Sequence, residues 1–372
     1  MSRQALGAVV EAPGAAPHVE PLVVDPPGPG ELLVRIVASG VCHSDAWAVE
    51  HGNWGSPFPM LLGHEGAGLI EDVGAGVTSH APGDPVVLVW AAPCGTCRGC
   101  LRGLPRTCAH DWQQPARLRR AASGEPLVGT LSLGTLATHT VVHAAQAIPA
   151  PPGGDLSRLC LLGCGVSTGV GAAINTGGVR AGDDVAVIGL GGIGLAALQG
   201  ARIAGARRLV AVDLVASKLD LARRFGATDV VDASAGDPVA AVRSLTGGEG
   251  VDVALEATGV PPVVAQAVAM LARGGTAVAI GVPPPESSVT IGWSGGGGAA
   301  YPTKSTLRIT DGGDPLREDL ERWIAWGADG RLDLDGMVSR ELELTDADLA
   351  ESFRSMLAGE VIRSVVRMPQ AT

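Results

Sequence analysis

The chain has 372 residues, 46% of them hydrophobic and only 3% aromatic, so it is long enough for two domains whose cores are built from aliphatic side chains and alanine. Charged residues are 17%, the net charge is -11, and there is no dense Lys/Arg tract, which argues against a nucleic-acid or other polyanionic partner. No apolar stretch reaches membrane-spanning length without charge or turn signals, and the N-terminus lacks a basic region followed by an apolar run, so the expectation is a cytoplasmic protein with no membrane partner.

Residues 1 to about 37 alternate short apolar runs with Pro/Gly turns, and Leu32 to Val37 reads as a strand. This is the pattern of a compact β-rich domain. Two short motifs follow, Gly40-Val41-Cys42-His43-Ser44-Asp45 and Gly63-His64-Glu65. Taken alone, Cys42 reads as an inert buried thiol and His64 as a hydrogen-bonded core histidine. Cys164, in Gly163-Cys164-Gly165, changes that reading. Two thiolates and one imidazole leave the fourth tetrahedral position open, as in catalytic zinc sites.

Cys94, Cys97, Cys100 and Cys108 form the strongest local signal. Four thiolates at this spacing wrap one ion in a closed site with no room for substrate, so the expected role is to fold a lobe around structural zinc. An iron–sulfur centre is the competing metal reading, and redox thiols a weaker one. Seven cysteines, an odd number, argue against a disulfide framework and for a reducing compartment. Arg117, Arg119 and Arg120 read as a solvated loop, Leu131 to Val142 as strand-like, and Cys160 as a small buried hydrophobe.

Residues 166 to 178 read as a linking helix. From about Gly182 the pattern becomes strand, helix, strand, the signature of a doubly wound parallel sheet. Its first turn carries Gly189-Leu190-Gly191-Gly192-Ile193-Gly194. The first glycine permits the tight turn, the second leaves room for a pyrophosphate, and the third lets helix and strand pack closely. A lone motif of this kind is weak evidence in a chain with 54 glycines. Asp213 strengthens it, because it ends the next strand about 20 positions on, where a carboxylate accepts hydrogen bonds from an adenosine ribose and disfavours the phosphate of NADP. Residues 283 to 303, with four glycines from 295 to 298, read as a loop. Leu316 to Trp326 and Asp346 to Leu357 read as amphipathic helices, and Val361 to Val366 as a closing strand.

With these motifs together, the chain resembles the zinc-dependent medium-chain alcohol dehydrogenase family over about residues 5 to 367. The resemblance implies a Rossmann domain at 159–310 and an irregular β-barrel catalytic domain at 1–158 and 311–372, with a structural zinc lobe. It implies two zinc ions, NAD, a homodimer or homotetramer, and reversible hydride transfer between a primary alcohol or aldehyde and the nicotinamide. Cys42, His64 and Cys164 would hold the catalytic zinc. Glu65 would be the nearby carboxylate, Asp45 the partner that orients the histidine ligand, and Ser44 the hydroxyl that bonds the substrate oxygen. His43 and Arg363 match pyrophosphate contacts, Thr168 a nicotinamide contact and Lys218 an adenosine-ribose contact. Gly189, Gly191, Gly192, Ile193, Gly194 and Asp213 complete the cofactor set.

Two departures bear on substrate. Trp47 stands where many family members carry a relay histidine. Asn53 and Gly55 stand where the glutathione-dependent formaldehyde dehydrogenase branch has an acidic pair. The run Ala172-Ala-Ile-Asn-Thr-Gly-Gly178 is nevertheless similar to that branch, to mycothiol-dependent relatives and to aryl-alcohol dehydrogenases. Trp47, Trp54 and Trp90 are candidate walls for an apolar or aromatic substrate. The sequence leaves open a mycothiol-type adduct dehydrogenase, a nicotinoprotein that retains its cofactor, and a non-catalytic zinc protein that binds dinucleotide.

Overall fold

A computed structural model describes residues 2–52, 58–110, 116–284, 286–291 and 305–369. Asn53, Trp54, Gly55 and the four glycines at 295–298 lie outside the described residues. The chain divides into two compact units, Met1–Cys164 with Leu316–Thr372, and Gly165–Pro315. The division expected from the sequence set the cofactor half at 159–310, several residues earlier at each end.

In the first unit, the strands Arg3–Val10, His18–Val24, Leu118–Arg120, Pro126–Gly129 and Met60–Leu61 close into a barrel in that order. Leu22, Leu61, Leu127 and Val9 fill it. A seven-stranded sheet stands with it, centred on Glu31–Val41, which pairs antiparallel with both Glu65–Val73 and Arg363–Arg367. The central strand is buried along most of its length, so its apolar run needs no polar alternation. The C-terminal strand thus closes onto the N-terminal half of the chain. Val338–Glu343 lies beyond it, paired parallel, and carries a strict half-buried, exposed alternation.

Arg117, Arg119 and Arg120 are not in a solvated loop. Arg119 and Arg120 lie on the strand Leu118–Arg120. Arg117 binds Glu31 at 2.8 Å, Arg119 binds Asp25 at 2.6 Å, and Arg120 engages Glu20 at 2.8 Å and also Glu11. Carboxylates on or just beyond the strands Arg3–Val10, His18–Val24 and Glu31–Val41 let the arginines occupy a sheet. Within 131–142 the strand begins only at His139; Thr130–Ser132 is a 3-10 turn.

The second unit is a six-stranded sheet, every neighbouring pair parallel: Asp229–Asp232, Arg208–Asp213, Asp184–Ile188, Val251–Glu256, Leu271–Ala279 and Thr306–Ile309. In chain order this is 3-2-1-4-5-6, the order of dinucleotide-binding sheets. Asp184–Ile188 is buried throughout, because the helices of a doubly wound fold cover both faces. Thr306–Ile309, which the sequence pattern did not reveal, forms an edge, and all four of its residues are exposed. Among the described residues, no single helix is long and apolar enough to cross a membrane.

Candidate metal centres and dinucleotide turn

Cys42, His64, Glu65 and Cys164 converge, all buried, with one ligand atom of each within 4.8 Å of the others. Backbone placement explains the convergence. Cys42 caps the helix His43–His51, which follows the central strand, and His64 directly precedes Glu65–Val73, the strand beside it. Cys164 arrives on a turn that requires glycine before it: a Cβ at Gly163 would meet Leu88 O at 2.6 Å and Glu65 Cα at 3.2 Å.

Asp45 organises the cluster from beneath. Its carboxylate accepts from Cys42 N at 3.0 Å, Gly63 N at 3.2 Å and His64 Nδ1 at 3.0 Å. A carboxylate cannot donate, so His64 carries its proton on Nδ1 and presents a bare Nε2. That atom is buried without a hydrogen-bond partner. A buried imidazole nitrogen aimed among two sulfurs and a carboxylate fits a zinc ligand. The two thiols show the same tendency. Their mutual hydrogen bond holds Cys42 well below the usual thiol range, against the effect of burial, and together with burial holds Cys164 well above it. Burial pushes His64 down, but Asp45 and Cys42 outweigh it and the net shift is upward. A divalent cation takes over what these groups otherwise share as protons.

Ser44 is half-buried, its Oγ 3.9 Å from Cys42 Sγ, beside the proposed ligands. His43 is exposed. Arg363 is 4% exposed, with Nη1 3.6 Å from Glu65 Oε1. Burial alone would lower its basicity, yet Glu65 and Cys42 raise it. No local pattern points to this Arg363–Glu65 pairing, which joins residues almost 300 positions apart from the two strands that flank Glu31–Val41.

The second cluster brings Cys94, Cys97, Cys100 and Cys108 within 4.8 Å of one another. Tetrahedral zinc at ~2.3 Å from each sulfur requires sulfurs about 3.8 Å apart; Cys94 and Cys100 stand at 3.9 Å. Backbone N–H groups of Thr96 and Cys97 point at the Cys94 sulfur, at 3.4 and 3.3 Å, and Thr96 leads in lowering its thiol to about 5. Burial instead pushes Cys100 up to about 12. From Cys94 to Cys108 only Cys100 and Pro105 are buried. Apolar burial at about 2 kcal/mol per side chain cannot order such a lobe, whereas structural zinc supplies about 10–16 kcal/mol. The donor set fits that ion.

Two of the candidate pocket tryptophans lie among the described residues. Trp47 stacks on His51 with ring centroids 4.8 Å apart, and Arg106 of the cysteine lobe lies 4.2 Å above the Trp90 ring.

In the second unit, the glycine turn links Asp184–Ile188 to the helix Gly192–Ile203. A Cβ at Gly194 would collide with Gly189 O, whereas one at Gly191 would meet nothing within 4 Å. Packing therefore explains Gly194. At Gly191 the free ground above the backbone is what a pyrophosphate would occupy. Ile193 lies in the helix's first turn. Asp213 accepts from Leu190 N at 2.7 Å and Val215 N at 3.0 Å, which ties the acidic strand end to the turn. Lys218 is half-buried in the helix Ala216–Arg224, and Thr168 is buried in Gly165–Gly171.

Residues 28–152 match the family described as alcohol dehydrogenase GroES-like domain, and residues 192–297 match zinc-binding dehydrogenase. An S-(hydroxymethyl)glutathione dehydrogenase from Escherichia coli O139:H28 is 36% identical over 97% of this chain and 98% of its own. The chain belongs to the zinc-dependent medium-chain alcohol dehydrogenases. Among solved members of this family, an alcohol dehydrogenase zinc-binding domain protein from Burkholderia ambifaria superposes with a TM-score of 0.90 at 33% identity, covering 100% of both chains. Benzyl alcohol dehydrogenase from Acinetobacter calcoaceticus superposes at 0.87 with 27% identity, covering 99% of this chain and 100% of the other. As a medium-chain alcohol dehydrogenase, the protein is a zinc-dependent NAD(H) oxidoreductase with one catalytic and one structural zinc site.

Proposed function

We propose that the protein interconverts primary alcohols, aromatic ones included, and their aldehydes, with NAD as hydride acceptor. The observation that carries this reading is the buried trio Cys42, His64 and Cys164 with Ser44 Oγ 3.9 Å from Cys42 Sγ. When bound, zinc supplies Lewis acidity. Cys42, His64 and Cys164 would hold it, Asp45 fixes the His64 ring, Glu65 keeps a carboxylate beside that trio, and Ser44 Oγ would accept the alcohol proton and hand it toward the nicotinamide ribose and water. By the family resemblance, His43, Thr168, Lys218 and Arg363 serve the dinucleotide.

Similarity to a benzyl alcohol dehydrogenase favours an aromatic substrate. The curated relatives favour a second reading, oxidation of S-(hydroxymethyl)glutathione, and among thiol adducts they point to glutathione rather than mycothiol. Asn53 and Gly55, in place of the acidic pair of that branch, weigh against it. NAD-linked steady-state kinetics separate the two. We expect kcat/KM for benzyl alcohol to exceed that for formaldehyde with glutathione by at least about tenfold, the equivalent of about one net hydrogen bond lost with the acidic pair; the reverse order overturns the proposal.

Homo-oligomer formation, as dimer or tetramer, is supported by the edge strand Thr306–Ile309, where Ile309 is 81% exposed. Seven free cysteines, six of them in two metal clusters, suit a reducing cytoplasm.

A further inference from the structure

The dinucleotide sheet reverses strand order between Asp184–Ile188 and Val251–Glu256, and ligands of such sheets bind beyond the carboxyl ends of the strands at that reversal. One lip of this crevice is the glycine turn. The other begins at Glu256, which lies in register with Ile188. Glu256 is fully buried and belongs to no dinucleotide motif. Its Oε1 accepts from Thr258 N at 2.6 Å, Gly259 N at 3.1 Å and the Thr258 hydroxyl. Its main-chain oxygen accepts from Ile280 N at 2.8 Å. The carboxylate therefore folds the chain sharply as the strand ends.

That fold sets Thr258 against the glycine turn. A Cβ on Gly189 would meet Thr258 Cγ2 at 2.5 Å and Thr258 N at 3.3 Å, and Ala257 N donates to Ile188 O at 2.8 Å. The first glycine of the motif is thus confined from the opposite lip. We propose that Glu256 is a positioning residue for NAD: its carboxylate gathers the Thr258–Gly259 turn and so fixes the width of the crevice at Gly189. Burial raises the Glu256 carboxyl above its usual range, and the Thr258 and Gly259 donors oppose that shift.

The inference rests on the dinucleotide assignment and is independent of which alcohol is used. NADH binding to the zinc-loaded protein, followed by nicotinamide fluorescence, tests it without turnover. Glu256→Ala removes the acceptor oxygens and is expected to raise the Kd for NADH at least about fivefold, the equivalent of one net hydrogen bond. The KM for NAD should rise in step and more than kcat falls. Glu256→Gln, which keeps an acceptor oxygen, is expected to stay within about twofold of wild type. A folded Glu256→Ala with wild-type Kd overturns the proposal, as does equal weakening by alanine and glutamine. Should Glu256→Ala fail to fold, Thr258→Val decides. It removes only the hydroxyl donor and is expected to weaken NADH about twofold to threefold; an unchanged Kd there overturns the proposal. A wild-type protein that does not bind NADH overturns it together with the cofactor assignment.

Discussion

Asp45→Asn isolates the role of charge beneath the catalytic cluster. The carboxylate accepts three bonds, one on Oδ2 from Cys42 N and two on Oδ1 from Gly63 N and His64 Nδ1. An asparagine keeps a single acceptor oxygen. With that oxygen at the Oδ1 position, the amide nitrogen faces Cys42 N and one charge-assisted bond is lost; turned over, two are lost. The first orientation is preferred, and it costs about 1.5–3 kcal/mol of folding stability. The histidine also loses its anionic partner, which in metal sites lowers affinity about 10–100-fold, or about 1.4–2.8 kcal/mol. Zinc transfer to a chromophoric chelator, with thermal melts alongside, measures both effects. One of two zincs should become labile in Asp45→Asn while the other leaves as in wild type. Two zincs released as slowly as in wild type would refute the claim that the charge on Asp45 strengthens His64 as a ligand.

Cys97→Ser should misfold or aggregate, because the lobe has almost no apolar burial to replace its metal; circular dichroism and soluble yield check this. Asp213→Ala should raise the KM for NAD at least about tenfold and narrow the preference over NADP, since it removes both the ribose acceptor and the tie to Leu190 N; paired NAD and NADP kinetics report it. Ile309→Lys puts a charge on the exposed sheet edge and should shift the protein toward monomer in sedimentation velocity, with the melt little changed.

The chemistry-bearing segments were the legible ones, because their spacing is set by coordination and backbone geometry. The cysteine run, the Cys42 and His64 motifs and the glycine turn all fall where the reading placed them, and collisions at Gly194 give a packing reason for the motif's last glycine. What stayed hidden has physical causes. The helix His43–His51 buries only Asp45 and Ala48, so no apolar stripe announced it. Val338–Glu343 alternates with charges that face outward, and Thr306–Ile309 is exposed throughout, so neither shows the apolar run of a sheet strand. The arginines at 117, 119 and 120 looked like loop residues because their carboxylate partners lie 86, 94 and 100 positions away in the chain. Glu256 and the Arg363–Glu65 pair are products of tertiary folding, with no local signal at all.

Catalysis and folding are proposed to rest on two separate metal centres, one of which needs Cys164. Zinc per chain, measured by atomic emission on wild type and Cys164→Ser after dialysis, tests this most directly. The expected result is two zincs in wild type and one in Cys164→Ser, with circular dichroism unchanged and alcohol oxidation abolished. A Cys164→Ser protein that keeps two zincs, or a fully folded wild type that holds only one, would contradict it.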